Sequence, residues 1–223
     1  GYDTTKVNDC KVISIINGAD QLESAYAGDE VNIVLDKTPF YAESGGQVGD
    51  TGIIETPNAR LEVVDTLKYE KLFIHCCKVS EGSIKTGESA KAEVDLKRRS
   101  DIKIHHSTAH LLQSALIKVL GNAIAQAGSQ VEPTRTRFDF TFDRAVSKDE
   151  IKKIESLLNE WISQDLTCTT QSMSIDEAKK SGAIALFDEK YSDKVRVVSI
   201  DKISKELCGG THMGHTGEIR LAK

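Results

Sequence analysis

The sequence predicts an α+β fold: a small N-terminal β-barrel followed by an α/β two-layer domain with a mostly antiparallel sheet. Three observations predict it. Short β-rich runs broken by turn residues fill the chain as far as Asp95, a long helical period opens near Arg98, and strand and helix patterns alternate from there to the end. With 223 residues, 39% hydrophobic content and three prolines, the chain can bury one large or two small cores. Two domains are expected, spanning 1–96 and 97–223.

The barrel strands are expected at Val12 to Ile16, Val31 to Leu35, Ile53 to Glu55, Leu61 to Val64, Leu72 to Val79 and Ala90 to Val94, with Asn17-Gly18, Gly45-Gly46, Gly49 and Gly52 as punctuation. Many short strands without an intervening helix suggest closure into a barrel. A helix is expected from Arg98 to Leu120, since Ile102, His106, Ala109, His110, Leu112, Leu116 and Val119 recur at helical spacing before Gly121 and Asn122 stop it. Beyond it, Thr136 to Phe142 alternates like a strand. Lys148 to Ser163 repeats Ile151, Ile154, Leu157, Leu158 and Ile162 like an amphipathic helix. Cys168 to Met173 and Lys194 to Ile200 read as strands, and Ile175 to Lys180 as a short helix.

Composition narrows the function class. Cys10, Cys76, Cys77, Cys168 and Cys208 are odd in number and lack a disulfide-scaffold spacing, so a reducing compartment is expected. No run is long and apolar enough for a membrane span and no leader pattern opens the chain, so a cytoplasmic protein without membrane or DNA partners is expected. Gly1 stands where an initiator methionine would, as in a piece of a larger protein. A net charge of -5 disfavours broad nucleic-acid binding. Basic clusters, however, occur at Lys97, Arg98, Arg99 and Lys103 and at Arg135, Arg137 and Arg144, enough for a modest path along an RNA end.

Chemistry concentrates in two spacings, HSTAH (His106, His110) and CGGTH (Cys208, His212). Residues four apart on a helix share one face, so both histidines can address one ion. The two glycines let a thiolate and an imidazole bend onto the same centre. Three nitrogens and one sulfur form a donor set that suits Zn2+ better than magnesium or calcium. With an open position, such a site activates water; with all four ligands bound at once, it is structural. Neither alternative is decided by the spacing. The His pair lacks the glutamate of an HExxH peptidase, and the glycine-rich stretch Gly45, Gly46, Gln47, Gly49 and Gly52 lacks the Lys-Ser/Thr of a phosphate loop.

HHSTAHLL and CGGTHMGHTGEI, together with TPFYAESGGQVGDTG (Thr38 to Gly52), QAGSQV (Gln126 to Val131), RFDF (Arg137 to Phe140) and GAIALFDEKYSDKVRVV (Gly182 to Val198), resemble the editing domain of alanyl-tRNA synthetases and its freestanding AlaX relatives. The resemblance covers nearly the whole chain. It implies a zinc-dependent deacylase that cleaves the ester of Ser-tRNA(Ala) and Gly-tRNA(Ala). The chain is then the editing fragment of an alanine-tRNA ligase whose ATP-dependent part lies elsewhere, with the acceptor end of tRNA(Ala) and the rest of the parent synthetase as partners. A freestanding editing protein and a non-catalytic zinc-stabilised tRNA-binding module are the alternatives. By the same resemblance, Gln126, Cys208 and His106 are the expected catalytic residues, Thr108, Ala109, Gln126, Ser129 and Arg137 line the substrate, and the glycine-rich stretch faces the editing half and can touch tRNA. One position departs from the family: Ala109 replaces the usual threonine before the second histidine, and Thr108 stands one place earlier, about 100° around the helix. His105 and His215 are expected outside the ligand set.

Overall fold

The computed structural model describes residues 2, 4–122, 124–184 and 193–223. They fall into two compact units, Gly1–Ser44 with Val48–Arg99, and Gly45–Gln47 with Ser100–Lys223. The middle of the Gly182 to Val198 segment, residues 185–192, lies outside the described residues.

The first unit is the predicted barrel. Strands β1 (Lys6–Asn17), β4 (Glu30–Leu35), β7 (Leu72–Lys85), β6 (Ala59–Tyr69), β5 (Gly52–Glu55) and β8 (Ser89–Val94) pair antiparallel in that order, and β8 returns to β1 to close the ring. Short β2 (Asp20–Leu22) flanks β1, and β3 (Ser24–Tyr26) pairs with β7. Alternation is clear in β8, where Ala90, Ala92 and Val94 point inward and their neighbours outward. Val12, Ile15, Ile33, Phe40, Ile54, Leu61, Val79 and Ile84 fill the interior. Register shifts at Val12/Ser14, Val7/Cys10 and Val63/Asp65 mark bulges, which bend and twist strands enough for closure. Cys77 lies in this core and Cys76 on the half-exposed face, as neighbours on one strand must.

The second unit is built on α1 (Leu96–Leu120), whose first turn is counted with the barrel. Gly121, at φ 93°, closes the helix by donating its N–H to the Ile117 carbonyl. Strands β9 (Ala125–Val131) and β10 (Thr136–Thr141) form a hairpin, α2 (Lys148–Ser163) follows, and β11 (Cys168–Ser174), β12 (Lys194–Ile200) and β13 (Ser204–Leu207) form a second sheet. Among the described residues the single antiparallel sheet expected here is therefore two, both antiparallel. The short helix α3 (Ile175–Lys180) leads out of β11. Leu111, Ala115 and Leu116 of α1 pack with Ile154, Leu158, Trp161 and Ile162 of α2 and with Ile200. Two expectations shift. Leu111 and Ala115 are buried more deeply than Leu112, and Ile151 is exposed, because the buried face of α2 centres on Ile154, Leu158 and Trp161.

Candidate metal centre

Four side chains of the second unit converge. His106 and His110, one turn apart on α1, meet Cys208 and His212 from the loop after β13, with one donor atom of each within 4.8 Å of the others. Imidazole centroids lie 4.4 Å apart for His106 and His212, 4.7 Å for His110 and His212, and 5.4 Å for the helical pair. Cys208 Sγ is 3.4 Å from His106 Nε2 and 3.3 Å from His212 Nε2.

Two of the histidines turn Nδ1 outward to a hydrogen-bond partner, and the third, His110, turns it toward a carboxylate without forming a hydrogen bond. His106 Nδ1 meets Gln47 Oε1 at 2.7 Å, His212 Nδ1 meets Ser107 Oγ at 3.0 Å, and His110 Nδ1 faces Glu206 Oε1 at 3.3 Å. Nε2 is thereby left for the shared centre, the arrangement that orients metal-binding imidazoles. None of these three partners follows from the motif spacing. Ser107 lies beside His106 in sequence and Glu206 two residues before Cys208, but Gln47 is 59 residues from His106.

The loop geometry explains its glycine. A Cβ on Gly210 would lie 2.0 Å from His106 Cε1 and 2.9 Å from Gln47 Oε1, so only glycine lets the chain pass over the ring. Arg196 on β12 secures the same loop, donating from Nη1 to the carbonyls of Gly210 and Cys208. Gly46 plays a matching part: a Cβ there would lie 2.6 Å from the Ser129 carbonyl oxygen, and the Gly46 carbonyl accepts the Val131 N–H at 2.7 Å.

Electrostatics favour an ionised sulfur. Burial by itself raises the Cys208 thiol, but His106, His212 and His110 around it hold it well below the ordinary value. Burial pushes His212 down, so its imidazole is neutral. His110 moves the other way: burial opposes its charge, but Glu206 and then Cys208 outweigh burial and raise it. Proton and metal ion are competitors for such a position, since a ligating imidazole must give up its proton.

Both ends of the chain match known family models. Residues 1–98 match the tRNA synthetases class II (A) model, and residues 195–223, which include Cys208 and His212, match the threonyl and alanyl tRNA synthetase second additional domain. The whole chain aligns at 48% identity with an alanine–tRNA ligase of Thermoanaerobacter sp. (strain X514), covering 25% of that protein, and at 47% with that of Rhizobium meliloti (strain 1021), covering 26%. Over its whole length the chain is thus similar to alanyl-tRNA synthetases. It spans about a quarter of the length of these curated relatives.

The other residues that the alanyl-tRNA synthetase resemblance singles out are distributed as follows. Gln126 lies on β9 opposite Phe140, and its Oε1 is buried without a hydrogen-bond partner. Ser129 sits on the same strand against Gly46. Thr108 gives its hydroxyl proton to the Ile104 carbonyl at 2.8 Å, and Ala109 is buried with no polar atom to offer. Arg137 is exposed and paired with Asp139 at 3.1 Å. His105 is held by the Asp101 carbonyl, and His215 lies 4.0 Å from Asp165; neither joins the cluster.

Two expectations about RNA contact need correction. Gln47 is fully buried, so this member of the glycine-rich stretch is no surface for tRNA. Arg99 is 2% exposed and bound bidentately by Asp50, and Arg98 donates to the Gly49 carbonyl. Arg135 and Arg144 pair with Glu132 and Glu150. Arg99 is thereby withdrawn from the expected surface path, whereas Arg135, Arg137 and Arg144 stay exposed beside their carboxylate partners. No helix among the described residues is long and apolar enough to cross a membrane.

Proposed function

We propose that this chain is the editing part of an alanine–tRNA ligase, a zinc-dependent deacylase that hydrolyses Ser-tRNA(Ala) and Gly-tRNA(Ala) while aminoacylation is left to other regions of the longer protein. The observation that carries the reading is the convergence of His106, His110, Cys208 and His212. The donor set fits zinc: with metal–ligand bonds of about 2.0–2.3 Å, neighbouring ligand atoms of a tetrahedral site lie roughly 3.3–3.8 Å apart, and Cys208 Sγ stands at 3.3 and 3.4 Å from two of the imidazoles. When bound, zinc supplies a Lewis acid that lowers the pKa of water toward neutrality.

The chain's own residues provide the rest. An aminoacyl ester is already activated, so positioning the reacting groups and stabilising developing charge suffice. Gln126 Oε1, buried and unpartnered, is an acceptor for the substrate amine, hydroxyl or water. Thr108 spends its hydroxyl proton on the helix and Ala109 has none, so recognition of a serine hydroxyl falls to Gln126. The decisive assay is release of free serine and glycine from mischarged tRNA(Ala), with Ala-tRNA(Ala) as control. Gln126→Leu should slow release at least about tenfold, equivalent to roughly 1.4 kcal/mol of barrier, with metal content unchanged and serine affected more than glycine. Wild-type rates in that variant would remove Gln126 from the mechanism.

A second reading draws on the same geometry. Four protein donors complete a tetrahedron, the habit of structural zinc sites, and would make the chain a non-catalytic tRNA-binding module. No release of amino acid by the intact wild-type chain, with zinc bound, would favour it.

A further inference from the structure

Gln47 has no place in the mechanism above, yet it is fully buried among polar groups of the second unit. Its Oε1 accepts the Thr211 backbone N–H at 2.9 Å, and its Nε2 donates to Thr211 Oγ1 at 3.0 Å. A backbone N–H can only donate, so the atom it meets is the amide oxygen and the orientation of the amide is determined. That same oxygen lies 2.7 Å from His106 Nδ1. An amide oxygen cannot donate, so Nδ1 must carry the proton. The lone pair of a neutral His106 is then on Nε2, the atom 3.4 Å from Cys208 Sγ.

We propose that Gln47 is the positioning residue of the metal centre: it holds His106 in the Nδ1–H tautomer and fixes the ring plane so that Nε2 is presented to the ion before the ion arrives. This rests on the metal reading of the cluster. Pre-setting the tautomer spares the ligand a proton shift and a ring rotation on binding, and loss of such a supporting contact weakens metal binding by about 10–100-fold. The glycine-rich stretch acquires a reason of its own. Gly46 passes against Ser129 where a side chain cannot fit, and so delivers the next residue, Gln47, to His106.

The test is zinc affinity of the full chain by competition with a chromophoric chelator, with Co2+ absorption as a spectroscopic check on the ligand set. Gln47→Leu removes the acceptor and should weaken Zn2+ binding about 10–100-fold and alter the cobalt spectrum. Gln47→Glu keeps the acceptor and should bind no more weakly than wild type. A merely structural role predicts the reverse order, since a buried carboxylate is harder to accommodate than leucine. Equal affinity of wild type and Gln47→Leu would overturn the proposal, whereas a wild-type chain that binds neither metal would overturn the metal reading instead. Nitrogen-15 NMR of His106 in the metal-free wild-type chain decides independently of variant folding: protonation at Nδ1 supports the assignment, and a neutral ring protonated at Nε2 refutes it.

Discussion

A methyl group at Gly210 would collide with the His106 ring, 2.2 Å from Nδ1 as well as 2.0 Å from Cε1. Relief requires the ring or the loop carrying Cys208 and His212 to move. Gly210→Ala should therefore cut zinc affinity by at least about tenfold, the scale of a lost supporting contact. Chelator competition measures it, and unchanged affinity would show that the loop yields without disturbing the ligands. His75, in the barrel, carries a pH dependence. Burial holds its pKa down at about 4, although its Nδ1 contacts the Ile33 carbonyl and its Nε2 the Thr38 hydroxyl. The unfolded chain takes up this proton near pH 6.5 and the folded chain only near 4, so the fold loses stability as pH falls across that window and keeps it in full above. The loss reaches roughly 3 kcal/mol at the acid end. Urea denaturation at pH 7 and pH 4.5 should show a larger acid loss for wild type than for His75→Gln. An NMR titration midpoint near 6.5 for His75 would contradict the argument.

At the level of elements, the start of α1 is secured twice within the barrel unit. Asp95 caps the helix by accepting the Arg98 N–H at 3.0 Å, and Arg99 reaches Asp50, which also accepts the Tyr41 N–H at 2.6 Å. A buried pair adds little net stability, but removing one partner strands a charge. Arg99→Leu should destabilise the barrel by about 3–5 kcal/mol. Adding Asp50→Asn should recover part of that loss, because the amide keeps an acceptor for Tyr41 without the charge. Additive losses in the double variant would mean that the ion pair is not what couples these positions.

For the molecule as a whole, the two units have separate cores, and the candidate ligands all belong to the second. The ligands tie α1 to the loop beyond β13, segments about a hundred residues apart (Cys208 and His106 differ by 102). A metal bound only by the folded state stabilises it by about 4 kcal/mol at a thousandfold excess over its dissociation constant. Trp161, the chain's one tryptophan, is buried in the second core and reports on it. Chelation should lower the thermal transition seen by Trp161 fluorescence, and restored Zn2+ should raise it again. A transition indifferent to both would argue against a metal in this unit.

The barrel, the long helix, α2 and most of the strands were legible in the sequence because each rests on local periodicity and turn chemistry, whereas β9 and β13 carry no such signal and were not expected. The ligand candidates were legible too, since HxxxH on a helix and CxxxH around two glycines are short-range geometries. Tertiary structure alone decided what surrounds them. Gln47, Ser107 and Glu206 reach the histidines through contacts whose sequence separation carries no period, and glycine at 210 is explained only by a ring arriving from another element. The same limit explains the arginines. A basic run reads as a surface path in one dimension, but whether Arg99 faces solvent or Asp50 depends on where the loop before β5, far away in sequence, brings a carboxylate. Side-chain type and spacing determine which groups are capable of holding a metal; burial and long-range packing determine their protonation, their orientation and the partners that keep them there.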